Sequence, residues 1–104
     1  MTRSVIEEDL TIDGNVVSKD GDIDVKGKVN GDITSRSVDV HVAGQVQGAI
    51  TADSVTIQGK HSGRIECSEL ALEKNAEVKA DVKAQTLSSE KGARLVGKVQ
   101  ITGG

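Results

Sequence analysis

Apolar and polar residues alternate along almost the whole chain, and the alternation restarts on a fixed period. The phrase apolar-x-Gly-x-apolar reads Ile12-Asp13-Gly14-Asn15-Val16, Val29-Asn30-Gly31-Asp32-Ile33 and Val46-Gln47-Gly48-Ala49-Ile50. It returns as His61-Ser62-Gly63-Arg64-Ile65, Val78-Lys79-Ala80-Asp81-Val82 and Leu95-Val96-Gly97-Lys98-Val99. Glycine, or Ala80 in its place, recurs at 14, 31, 48, 63, 80 and 97, in steps of 17, 17, 15, 17 and 17 residues. Two residues after each phrase comes Ser18, Ser35, Ala52, Cys67, Ala84 and Ile101. A further apolar pair completes each unit: Ile23/Val25, Val38/Val40, Val55/Ile57, Leu70/Leu72, and Leu87 with Ser89. One motif per unit at a near-constant period is the mark of a solenoid.

Each unit holds three short stretches of period-two alternation separated by glycine or polar corners, which predicts three strands per coil and a triangular parallel β-helix. About six coils of 15–17 residues, stacked ~4.8 Å apart, make a short rod. The short units turn one corner through Lys26-Gly27 or Gln58-Gly59, and the long ones insert two more residues, as in His41-Val42-Ala43-Gly44 and Glu73-Lys74-Asn75-Ala76. The first coil places its extra pair elsewhere, in Ser18-Lys19-Asp20-Gly21-Asp22. Two added residues preserve the inward/outward parity, whereas one would reverse it. The recurring glycine suits a corner with positive φ or a close approach of backbones. Outward residues fall into columns of alternating sign, such as Lys60, Glu77 and Arg94, or Arg64, Asp81 and Lys98, in which neighbouring rungs should attract.

Composition agrees with this reading. Among the 104 residues there is no Phe, Tyr, Trp or Pro, and 14 Val and 8 Ile stand against 5 Leu. The core must be thin and filled by β-branched side chains, which pack well on a pleated surface. A net charge of −3 with mixed signs speaks against nucleic acid as a partner. No apolar run approaches the ~20 residues of a membrane-spanning helix, and Met1–Ile6 is too short and polar for a secretory signal.

Candidate chemistry is sparse. His41 sits at a corner and His61 on an inward ladder, so no converging imidazoles offer a metal site. Cys67 belongs to the ladder of small inward residues and has no adjacent base to activate it. No catalytic residues, metal or cofactor are expected. The alternative from another class is a left-handed hexapeptide-repeat enzyme, a trimeric acyltransferase or carbonic anhydrase. Its coils are multiples of six residues, which 15 and 17 are not. An ice- or carbohydrate-binding array is poorly served, because Glu66, Lys83 and Gln100 interrupt the column of Thr34 and Thr51.

The ends of the rod are the expected functional surfaces. Residues 1–5 and 102–104 are expected as tails around a β-helix domain at 6–101, leaving little to cover the terminal coils. The candidate polymerisation interface comprises Leu10 and Ile12 at one end and Leu87, Leu95, Val99 and Ile101 at the other. By parity Leu95 also lies on the inward ladder with Val46 and Val78, so it serves equally as core filling.

The stretch Val5-Ile6-Glu7-Glu8-Asp9-Leu10-Thr11-Ile12-Asp13-Gly14-Asn15 resembles the start of the bactofilin domain. So do Gly27-Lys28-Val29-Asn30-Gly31-Asp32-Ile33 and Gly92-Ala93-Arg94-Leu95-Val96-Gly97, and the likeness runs from Val5 to Ile101. The resemblance implies a right-handed parallel β-helix and a bacterial cytoskeletal scaffold. Such proteins assemble with themselves, without nucleotide, into non-polar filaments through like ends. It further implies cell-wall enzymes or other envelope proteins as partners, a role in cell shape, and a place in the cytoplasm at the inner face of the inner membrane. Relatives often carry Phe at the position of Leu95, near a polymerising end. They also carry proline-rich tails and an N-terminal membrane-targeting stretch, neither of which is seen in this sequence, and that argues against direct membrane attachment.

Overall fold

The period-two pattern becomes strand after strand. The computed structural model describes residues 3–102, and these contain thirteen strands and no helix. The strands are β1 (Arg3–Ile6), β2 (Thr11–Asp13), β3 (Val16–Val25), β4 (Lys28–Asn30), β5 (Ile33–Val40), β6 (Gln45–Thr51) and β7 (Ser54–Ile57). They continue as β8 (Lys60–Glu66), β9 (Glu69–Leu72), β10 (Glu77–Ala84), β11 (Thr86–Ser89), β12 (Arg94–Val96) and β13 (Val99–Ile101). Every pairing is parallel and joins one coil to the next. The fold is a parallel β-solenoid of about six turns, as the repeat predicts.

Three faces run along it. Face A stacks β2, β4, the starts of β6, β8 and β10, and β12. Face B stacks the starts of β3 and β5, the ends of β6, β8 and β10, and β13. Face C stacks β1, the ends of β3 and β5, then β7, β9 and β11. Face C therefore begins at Arg3, where the sequence reading placed a tail, because Ile6 falls in register on Val25 and is buried. The remaining tail residues 1, 2, 103 and 104 lie outside the described residues.

The inward ladders follow the repeat. Ile12, Val29, Val46, His61, Val78 and Leu95 form one inward ladder, and Val16, Ile33, Ile50, Ile65, Val82 and Val99 form another. The extra pair of the first coil appears as a bulge between Ser18 and Asp22. Beside it the buried Ser35 hydroxyl lies 2.8 Å from the Gly21 carbonyl oxygen, which satisfies a group the bulge removes from the ladder. The longer corners close as β-turns: the amides of Leu10, Gly44, Ala76 and Ala93 donate to the carbonyls of Glu7, His41, Glu73 and Glu90.

The core is one side chain deep from each face, and its largest fully buried members are Ile, Leu, Val and His61. A phenyl ring in this space would displace the facing ladder, which explains the absence of aromatics. The columns Lys60/Glu77/Arg94 and Arg64/Asp81/Lys98 do stack rung on rung. Among the described residues, however, their opposite charges form no salt bridge; elsewhere His41 Nε2 approaches Asp24 Oδ1 to 3.9 Å. Holding two long exposed side chains together costs as much entropy as the attraction returns.

The corner between faces A and B sets the tightest limit. Gly48 has φ +133°, and a Cβ there would lie 2.0 Å from the Gly31 carbonyl oxygen of the coil below. Gly14, on the first coil, has the same backbone sign (φ +127°) but open space where its Cβ would go. We therefore expect Gly14→Ala to cost about 1–3 kcal/mol of backbone strain and Gly48→Ala clearly more, because it adds the collision. Urea unfolding of the two variants side by side checks this; equal losses would mean the close approach is relieved by a shift of the coil.

Candidate functional site

The terminal coils differ from the rest in where their apolar side chains sit. In the middle of the rod every inward Val, Ile and Leu is buried by the coils above and below. At one end β1, β2 and the start of β3 pair on one side only, and at the other so do β11, β12 and β13. The ladder residues there lose half their cover: Ile101 is 49 % exposed, while Ala84 one rung below is 1 % exposed.

The sequence-predicted residues separate by position into two groups. Leu10, in the Glu7–Leu10 turn, and Ile12, on face A, lie at the N-terminal end. Leu87 on face C, Leu95 on face A, and Val99 and Ile101 on face B lie together at the C-terminal end. Leu10, Val99 and Ile101 are exposed, whereas Ile12, Leu87 and Leu95 are half-buried against the core. Leu95 packs against the core on the ladder of Val78 and stands on its last rung, where core filling accounts for its inner side.

Four further apolar residues, not singled out from the sequence, lie at the same two ends. Val16 is the N-terminal counterpart of Val99 on face B and is half-buried; the repeat already contained that equivalence. Val5, Val17 and Val96 point outward and are exposed, and a strict inward/outward reading passes over them. The exposed large hydrophobics among the described residues are these three with Leu10, Val42, Val99 and Ile101. Six of those seven lie on the terminal coils, with Val42 in a corner as the exception. Formal charge is also divided. The first coil carries Glu7, Glu8, Asp9 and Asp13 against Arg3, and the last carries Lys91, Arg94 and Lys98 against Glu90.

Elsewhere the titratable groups face away from chemistry. Burial pushes the Cys67 thiol up to about 11, which keeps it protonated and unreactive. The Glu73 carboxyl is raised by a hydrogen bond and like charge from Glu90 one coil on. Among the described residues no three His, Cys, Asp or Glu side chains converge as a metal ion would require, and no helix is long and apolar enough to cross a membrane.

His61 is the buried exception, 1 % exposed in an otherwise aliphatic ladder between Val46 and Val78. Its Nε2 lies 3.3 Å from the Arg64 carbonyl oxygen and so carries the proton, while Nδ1 meets no hydrogen-bond partner. Burial lowers its pKa from 6.5 to about 4, against the smaller raising effect of the Arg64 and Val46 backbone. The folded state therefore refuses a proton that the unfolded state accepts. Stability is full above pH ~6.5 and falls as the pH drops toward 4, by at most about 3 kcal/mol. His61→Leu should flatten that acid limb in chemical denaturation at pH 7, 5.5 and 4.5; an unchanged limb would place the acid sensitivity elsewhere.

Comparison with known proteins follows from this geometry. The family model for Bactofilin, described as polymer-forming cytoskeletal, matches residues 4–100. No curated protein matches the sequence. Among solved structures, the cytoskeletal bactofilin BacA, determined by solid-state NMR, is 30% identical, with 93% of each chain covered and a TM-score of 0.86.

Proposed function

This chain belongs to the bactofilin family of polymer-forming cytoskeletal proteins, and on that premise we propose that it builds filaments by stacking the open ends of its solenoid, without nucleotide. The observation that carries the reading is the placement of exposed hydrophobics, six of the seven on the terminal coils. An end contact burying a few hundred Å2 of apolar surface gains roughly 5–10 kcal/mol at ~25 cal/mol/Å2, against association costs of comparable size. It also gives the unpaired edges of the terminal strands a partner. Such a filament would serve as a scaffold in the cytoplasm, at the inner face of the inner membrane, for cell-wall enzymes or other envelope proteins. The family is a structural one, so the hexapeptide-enzyme alternative loses its footing.

Two orders of stacking follow from different observations. The family resemblance favours like ends together and a filament without polarity. The opposite formal charges of the first and last coils favour a head-to-tail order instead. One substitution separates them. Leu95→Arg puts an unpaired charge into the C-terminal contact while its neighbours on face A keep their ladder. Electron microscopy of the wild-type chain in nucleotide-free, metal-free buffer should show long unbranched filaments. The variant should show discrete dimers, joined through their N-terminal ends, if like ends meet. It should show monomers if the order is head-to-tail. Full-length filaments of the variant would remove the C-terminal coil from the interface.

A further inference from the structure

Face B carries a pattern of charge that the end contacts leave unused. On its last three rungs the outward side chains form two columns, Arg64/Asp81/Lys98 and Glu66/Lys83/Gln100, all exposed. They border one depression of about 540 Å3. Read rung by rung, Arg64 stands beside Glu66, Asp81 beside Lys83, and Lys98 beside Gln100. Sign alternates across the strands as well as along the rod. Among the described residues no salt bridge joins any of these neighbours, so their charges are not spent on one another.

Resting on the filament reading, we propose that this half of face B is a lateral contact for a second copy of the chain, so that filaments pair side by side. A second copy turned about a two-fold axis parallel to the rod keeps every rung level and exchanges the two columns. Arg64 then meets the partner's Glu66, and Asp81 meets the partner's Lys83, with Lys98 opposite the partner's Gln100. The earlier rungs add Asn15/Val17, Asp32/Thr34 and Ala49/Thr51, so no like charges face each other anywhere along face B. The other faces fit less well. Face A offers one complementary rung, Glu77 with Lys79, and face C sets Asp22 against Asp24. Each exposed pair is weak, but a filament repeats the patch at every protomer, so the pairs act together along its length. The contact therefore joins filaments and leaves isolated protomers apart, and it is sensitive to salt.

The test is negative-stain microscopy of assembled wild-type filaments at about 10 mM and about 1 M salt, where the screening length is ~30 Å and ~3 Å. Beside them goes Glu66→Lys/Lys83→Glu, which keeps composition and net charge but puts like charges opposite each other on both rungs. Wild-type filaments should run in pairs at low salt and singly at high salt. The doubly substituted chain should form filaments of the same length with at least tenfold fewer paired segments at low salt. Pairing that survives the exchange, or single wild-type filaments at low salt, overturns the lateral contact while leaving the end-to-end reading in place. Absence of filaments in both proteins overturns that reading and this contact with it.

Discussion

The structure depends on how closely one coil's backbone approaches the next at the corner between faces A and B. A Cβ at residues 31, 48, 63 or 97 would sit 2.0–2.2 Å from the carbonyl oxygen of the coil below. Only glycine meets both that contact and the positive φ found there. Ala80, the one substituted corner, keeps a negative-φ backbone inside the continuous strand β10 and turns its methyl group inward. Once the corner fixes the stacking, each inward residue must lie over its equivalent, and the ladders follow. The tolerated variation in coil length is in steps of two residues, because only even insertions leave the ladders in phase.

Nearly all of the fold was legible because a solenoid writes its tertiary contacts into a one-dimensional period. The 17-residue step from Ile12 to Val29 is itself the pairing register, and so is the 15-residue step from Val46 to His61. What was illegible has local causes. Residue charge shows which column Arg64 and Asp81 share, but rotamer entropy decides whether they touch, and sequence carries little of that. The strand at Arg3–Ile6 lies outside the repeated phrase and is held through Ile6, whose partner Val25 is nineteen residues away. For the candidate site, the inward apolar residues of the terminal rungs could be read from parity. Val5, Val17 and Val96 could not, because an outward valine looks like ordinary surface until its rung proves to be the last.

A core one ladder deep also explains how stability is distributed. Each coil rests on its two neighbours and on little else, so burial is close to complete in the middle and fails at the ends. His61 is tolerated where support is fullest, between Val46 and Val78, and the cost of its bare Nδ1 is spread over well-packed neighbours. Leu95 and Ile12 have one ladder neighbour each and are accordingly only half-buried.

Solenoids that remain as single molecules place polar, atypical sequence on their terminal repeats. Here the terminal rungs keep the repeat's apolar ladder and add valines on the outward side, at 5, 17 and 96. On a middle rung such a residue would lie against solvent with nothing to cover it. On a terminal rung it lies at the rim of the end surface, where under the stacking proposal it would enlarge the dry area of contact around the ladder ends. The charged groups follow the complementary rule: they occupy the flanks and corners of the rod, and the inward ladders that reach its two ends contain none. Under the two proposals, the apolar ends would direct association along the axis first and leave to the charged flanks the weaker, salt-dependent contacts that need a filament already formed.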